Sequence, residues 1–286
     1  MDTILRLAVQ KSGRLSEASI RLIQECGIHF NHHNAKLKCT ALNFPLEMLF
    51  LRDDDIPGYV ADGVADVGIV GQNVVLENAV AIDTLEPLGF GRCRLSIAVP
   101  RAFDYESLAS LEGLDIATSY PSLLARHLER NGVRSRIHEI SGSAELAPSI
   151  GLADAVCDLV STGSTLLSNG LKEVETVMES QAVLIGRPDL GEDTQALVDQ
   201  LRFRMKAVGR ARNFKYILLN IPNESIETVS RILPGMKSPT VMPLATEGWS
   251  SIHSVVQEDE FWEVIDRLRD AGAQGVLVLP VEKMVL

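Results

Sequence analysis

Five consecutive small residues, Ser161-Thr162-Gly163-Ser164-Thr165, carry the clearest chemistry in the chain. They follow residues 155–160 (AVCDLV), a short apolar run holding Asp158, which suits a buried strand better than a helix. Leu166 and Leu167 resume an apolar pattern that Gly170 closes, so the order reads strand, tight polar loop, short helix. Backbone N–H groups and three or four hydroxyls gathered at a helix start make a site for an anion. An ordinary βα turn with a Ser/Thr cap would use the same residues, and the loop alone does not separate the two readings.

Charged residues recur at the ends of other candidate strands. Residues 4–9 read as a strand followed by Gln10-Lys11-Ser12-Gly13-Arg14. Two cations flanking a glycine sit there where open α/β sheets place ligands, with a solvated charged loop as the alternative. Residues 44–51 form a second strand ending in Arg52-Asp53-Asp54-Asp55. The three acids lack the spacing of a metal-ligand set, and at least two are expected to cap the helix that starts near Ile56-Pro57. Residues 66–73 read as a strand running into a glycine turn, in which Gly68 and Gly71 imply close backbone approach or positive φ. Asn73 is expected to cap a helix from Val74. Ser119-Tyr120-Pro121 starts a helix after a strand at 114–118, and Ser141-Gly142-Ser143 precedes a short helix holding Glu145.

The elements that must position these groups suit 286 residues folded as two or three domains. The mixture is 46% hydrophobic and 23% charged, as in ordinary globular proteins. No apolar run approaches the ~20 residues that cross a bilayer. The first residues lead into a strand without a basic, then apolar, leader, so a cytoplasmic location is expected. Cys26, Cys39, Cys93 and Cys157 show no CxxC spacing and read as reduced thiols. A formal charge of −11 argues against a nucleic-acid binder, while leaving room for phosphate ligands where cations concentrate locally.

The element order predicts an α/β protein whose two lobes are joined by crossing strands, with a ligand cleft between them. Residues 1–97 plus 184–213 form the first lobe and 98–183 the second. A helix at 191–213 carries Arg202, Arg204, Lys206, Arg210 and Arg212, either as a solvated face or as a basic face toward acids or phosphates. Residues 214–286 follow a β-α-β-β-α-β order, the ferredoxin-like split motif. A regulatory or assembly module is the expectation for it, and a stabilising appendage the alternative.

Glu145, Gly151, Ala153, Val156, Asp158-Leu159, Thr162-Gly163 and Thr165-Leu166 match, at the right spacing, the signature of ATP phosphoribosyltransferases. Gln10–Arg14, Arg52-Asp53-Asp54-Asp55-Ile56-Pro57, residues 66–71, residues 117–121 and the closing residues 279–284 fit as well. The whole chain therefore resembles the long form of that family. The resemblance implies a periplasmic-binding-protein-like catalytic core with an ACT/PII-like C-terminal domain. It implies transfer of phosphoribosyl from 5-phosphoribosyl-1-diphosphate to N1 of ATP with Mg²⁺, the first step of histidine biosynthesis.

On that footing Ser161, Thr162, Gly163, Ser164 and Thr165 hold the ribose 5-phosphate and Asp158 the ribose hydroxyls. Glu145 shares that task or reaches Mg²⁺ through water. Lys11, Arg14 or Arg52 attends the departing pyrophosphate. Gly13, Arg14, Asp66, Gly71 and Tyr120 line the ATP site, with Tyr120 stacking on the adenine or bonding its edge. Asn220, Ser238, Thr240 and Ala273 take up histidine as feedback inhibitor, and AMP is a second inhibitor. The resemblance further implies a homo-oligomer from dimer to hexamer with no separate regulatory subunit, nucleic acid or membrane partner. A two-lobed solute-binding protein is the competing class, set aside because of the phosphate loop, the cations at strand ends and the missing export signal. A phosphoribosyltransferase for another nucleobase is not separated by the residues alone.

Overall fold

The computed structural model describes residues 3–31, 37–233 and 235–286. The chain divides into two compact units, Met1–Gln200 and Leu201–Leu286.

In the first unit the chain runs β1 (Leu5–Gln10), α1 (Arg14–Glu25), β2 (Lys38–Thr40), β3 (Leu46–Leu51), α2 (Ile56–Ala61), β4 (Val67–Gly71), α3 (Gln72–Asn78) and β5 (Asp83–Pro87). It then crosses to β6 (Cys93–Pro100), β7 (Asp115–Thr118), α4 (Pro121–Arg130), β8 (Arg136–Glu139), β9 (Ala155–Val160), α5 (Ser164–Ser168) and β10 (Leu171–Ser180). It returns as β11 (Ala182–Gly186) and leaves along α6 (Glu192–Ala211), within which the two units divide.

Two sheets result, in the orders β2-β3-β1-β4-β11-β5 and β10-β6-β9-β7-β8. β1 runs parallel to β3 and β4, and β7 parallel to β8 and β9. Parallel strands end on one edge, so each sheet collects its strand-to-helix loops along a single rim. The first rim carries the turns after Gln10, Leu51 and Gly71, and the second those after Thr118, Glu139 and Val160. β11 is buried at every residue and lies antiparallel between β4 and β5. A run of apolar residues without alternation suits such a doubly covered strand.

Three local expectations change. β6 belongs wholly to the second sheet, so the crossing lies between Pro87 and Cys93 and not at 97/98. Asp53–Asp55 form a 3₁₀ turn of their own, with no side-chain cap on it or on α2. Asn73 lies inside α3, which already begins at Gln72, and its Oδ1 accepts a hydrogen bond from Ser180 Oγ at 2.8 Å. Gly68 illustrates close approach, since a Cβ there would stand 2.7 Å from Ile56 Cγ2.

The second unit continues with β12 (Phe214–Pro222), α7 (Ile226–Ile232), β13 (Thr240–Pro243), β14 (Trp249–Gln257), α8 (Glu258–Asp270) and β15 (Gln274–Pro280). Its sheet is fully antiparallel in the order β13-β14-β12-β15, the ferredoxin-like arrangement. Ile217, Leu219, Ile221, Ile252 and Val256 pack with Val229, Phe261 and Leu268 of α7 and α8. The opposite face presents Tyr216, Asn220, Ser251, His253 and Thr240, as the strand alternation requires.

Asp66 is one of the residues expected on the ATP wall. It precedes β4, at the end of the strand remote from the rim, and its side chain is 6% exposed. Its carboxylate accepts from Arg6 N at 2.8 Å and Arg6 Nη2 at 3.2 Å, and stands 3.5 Å from Arg187 Nη2. A buried acid held between two guanidiniums joins the first and last segments of the lobe. Asp66→Asn is therefore expected to lower unfolding free energy by about 2 kcal/mol, less than for a fully buried pair because both arginines keep some exposure. Denaturant melts would measure that loss.

Candidate active site

The hydroxyl loop is shaped by its glycine. Gly163 has φ 81°, a left-handed conformation that glycine takes without the strain an added Cβ brings, and it turns β9 sharply into α5. Thr162 Oγ1 and Ser164 Oγ lie 3.1 Å apart across this turn. The helix behind the loop has only five residues, so the donors are individual N–H and O–H groups and not a long helix dipole. Ser161, Thr162, Ser164 and Thr165 are all exposed.

Two residues absent from the sequence reading hold the loop from below. Arg94 of β6 forms an ion pair with Glu173 of β10, and its Nη1 donates to the Ser161 carbonyl at 3.4 Å. The pairing crosses 79 residues of sequence, and no local signal announces it.

A cleft of about 210 Å³ gathers Arg14, Glu145, Asp158 and residues 159–166. Arg14 opens α1 in the first lobe, and the others belong to the second. Gly13 makes that possible: φ 95° at the helix N-cap swings the chain from β1 into α1. Lys11 and Arg52 are exposed on the same rim, at the ends of β1 and β3, outside the residues that line this cleft. Lys11 N donates to the Leu51 carbonyl at 2.8 Å, tying their two loops.

Asp158 is half-buried, and burial raises its carboxyl above the usual range. The Leu159 N–H, bonded at 2.7 Å, pulls it down, and the like charge of Glu145 pushes it up again. Glu145 is placed by a left-handed pair, Gly142 at φ 80° and Ser143 at φ 51°. Tyr120 is also half-buried, and burial followed by the carboxylates of Asp158, Asp53 and Asp54 holds its phenol far above its ordinary value. It stays an O–H donor at physiological pH. Asp53 and Asp54 come from the first lobe and Asp158 from the second, so Tyr120 stands where the two rims meet. Gly71 is on the first rim too, but the space a side chain would need there is taken by Asn73 Oδ1.

In the second unit, Asn220 and Thr240 share the open sheet face, two strands apart, with Ser251 and His253 between them. His253 bonds Tyr216 Oη at 2.7 Å and Ser251 Oγ at 3.2 Å. Ser238 is exposed just before β13, and Ala273 is 9% exposed and packed in the helix-side core. The side chain of Ala273 thus faces away from Asn220, leaving only its backbone to a ligand.

Fold and cleft define a two-lobed α/β protein of the periplasmic-binding-protein type, with its polar groups on two facing rims. The substrate-binding protein of an amino acid ABC transporter shares that fold, with TM-score 0.50 at 10% identity over 73% of this chain and 94% of that one. A family model described as ATP phosphoribosyltransferase matches residues 52–207, and one described as HisG, C-terminal domain matches residues 211–283. A Cytophaga hutchinsonii relative named ATP phosphoribosyltransferase is 60% identical over 100% of both chains. A chain of the ATP phosphoribosyl transferase (HisG:HisZ) complex from Thermotoga maritima superposes with TM-score 0.60 at 26% identity, over 71% of this chain and 99% of that one. The chain belongs to the ATP phosphoribosyltransferase family, the pentosyltransferases of the first step of histidine biosynthesis.

The raised carboxyl of Asp158 carries a sign. A group whose folded pKa lies above its unfolded value adds stability in acid that is lost as pH rises through the folded pKa. At neutral pH the charged Asp158 therefore costs stability, and Asp158→Asn should melt higher than the wild type. The gap should close below the ordinary carboxylate range. The same variant should lose about 10- to 100-fold in kcat/KM, the worth of one hydrogen bond to a charged group. Thermal melts between pH 3 and 8, roughly spanning the carboxylate range, together with initial rates, would check both effects.

Proposed function

We propose that the cleft lined by Arg14, Glu145, Asp158 and the 161–165 loop is where phosphoribosyl transfer occurs. N1 of ATP attacks C1 of 5-phosphoribosyl-1-diphosphate; the N1–C1 bond forms, the C1–O bond breaks, and pyrophosphate leaves with the electron pair. The product is phosphoribosyl-ATP. The observation that carries this reading is the meeting of a first-lobe cation with a second-lobe anion loop and two carboxylates in one cleft.

At about 210 Å³ that cleft is smaller than the roughly 300–1,000 Å³ of drug-sized pockets, so it suits one phosphate and its sugar. The 161–165 loop receives the 5-phosphate, and Asp158 accepts hydrogen bonds from the ribose hydroxyls. Arg14, with Lys11 and Arg52 on the same rim, stabilises the departing pyrophosphate. Tyr120 and Gly13 lie toward the nucleotide. N1 attacks with its own lone pair, so no general base is needed. Positioning and charge stabilisation of an oxocarbenium-like centre supply the rate.

Among the described residues no group of three or more metal-ligating side chains exists. Asp158 and Glu145 nonetheless fit a Mg²⁺ held mainly by substrate phosphates and water, because Mg²⁺ uses only one or two carboxylates and relieves their mutual repulsion. When bound it neutralises charge on the leaving pyrophosphate.

The ferredoxin-like unit would bind histidine near Asn220, Ser238, Thr240 and the Ala273 backbone, and AMP would compete at the nucleotide site. Exposed apolar residues on its open face, Tyr216, Met242, Leu277 and Leu279, suit assembly into a dimer or hexamer. Because the unit is part of the chain, no separate regulatory subunit is required. No helix among the described residues is long and apolar enough to cross a membrane; neither a membrane nor a nucleic-acid partner is proposed, and the setting is the cytoplasm.

Purified protein mixed with ATP, 5-phosphoribosyl-1-diphosphate, Mg²⁺ and pyrophosphatase should show the ultraviolet absorbance of phosphoribosyl-ATP, and millimolar histidine should suppress it. Product insensitive to histidine would remove the regulatory assignment and keep the enzyme. No product at all would sink the cleft assignment.

A further inference from the structure

Helix α3 of the first lobe is fastened to the rest of the molecule at both of its ends. At its start, Gln72 N donates to the Gln181 carbonyl at 2.9 Å, and Asn73 N donates to Ser180 Oγ at 3.1 Å, both on the chain segment that returns from the second lobe. At its end, Glu77 reaches across to α4 of the second lobe. Its Oε1 accepts from Ser122 N at 2.8 Å and its Oε2 from Leu123 N at 2.9 Å. Arg126, one turn further along α4, donates back from Nη2 to the Leu76 carbonyl at 2.5 Å.

These bonds answer a deficit in α4. Its N-cap is Tyr120, which makes no side-chain cap, and Pro121 holds the first position, so the next two N–H groups need an acceptor from elsewhere. Glu77 supplies it from 45 and 46 residues away in sequence, across the lobes. A carboxylate taking two N–H bonds at a helix start is a charge-assisted contact.

We propose that Glu77 is a positioning residue, an interlobe latch that sets the spacing of the two rims and thereby the site. Tyr120 immediately precedes the helix that Glu77 caps and faces acids of both lobes. Arg14 of the first lobe and the 161–165 loop of the second line one cleft, and the α3–α4 contact bridges the same two lobes. Releasing the latch lets the lobes separate, and only the fraction still closed binds both ends of a substrate. Apparent affinity then falls by that fraction, while saturating substrate restores the closed form. The expected signature is a raised KM with kcat nearly unchanged.

This rests on the cleft being the catalytic site, and the test keeps the two apart. Full-length Glu77→Ala, Glu77→Gln, Glu77→Asp and Asp158→Asn would be assayed with both substrates and Mg²⁺, and their melts recorded. Glu77→Ala should raise both KM values about tenfold with kcat within about twofold. Glu77→Gln, which keeps one carbonyl acceptor, should fall between it and the wild type. Glu77→Asp keeps the charge but is one methylene short, and should resemble alanine. If Glu77→Ala does not fold, Arg126→Ala breaks the neighbouring fastening from the exposed side and should raise both KM values several-fold. Unchanged KM in these variants, or a loss confined to kcat, would overturn the latch. Full activity in Asp158→Asn would instead overturn the cleft assignment and the latch with it.

Discussion

The arrangement depends on one strand. β11 slots antiparallel between β4 and β5, buried at every position, after the chain has already built a second sheet. Pairing on both edges means that the first lobe is incomplete until the second has been made and the chain has come back. The two lobes are therefore tied by the segments just before β6 and just before β11, and their strand ends are left facing each other. The first lobe brings Arg14 to the cleft, and the second brings Glu145, Asp158 and the hydroxyl loop.

Electrostatics then divides the molecule into places where charge is satisfied and places where it is not. Asp66 sits among Arg6 and Arg187 at the far end of β4 and contributes to holding the lobe. Asp158 and Glu145 stand near one another with no cation paired to either among the described residues, and burial keeps Asp158 reluctant to ionise. Such an arrangement costs stability in the protein by itself.

Capping shows the same division at smaller scale. Gly13 and Gly163 open α1 and α5 at positive φ, with no side-chain cap on either helix start. α4 is closed instead by Glu77 of the other lobe, which consumes its N–H groups for structure. Helix starts on one pair of rims thus differ in whether a side chain has claimed the donors.

The sequence by itself determined the features that depend on a few neighbouring residues: the strand–loop–helix order at 155–168, the glycine turns, the alternation of the ferredoxin-like strands and the two-lobed order of elements. Backbone dihedral preference and side-chain period act over that range, so they can be read without partners. Family resemblance extended the reading to the identity of the reaction. Only the tertiary structure decided what each charged group does. Asp66 and Asp158 look alike from sequence, one before a strand of the first lobe and one inside a strand of the second. Their fates differ because Arg6 and Arg187 arrive from 60 and 121 residues away, while among the described residues no cation forms an ion pair with Asp158. Arg94, Glu173 and Glu77 were invisible for the same reason. A carboxylate's role is set by what its lone pairs meet, and sheet order at long range chooses that.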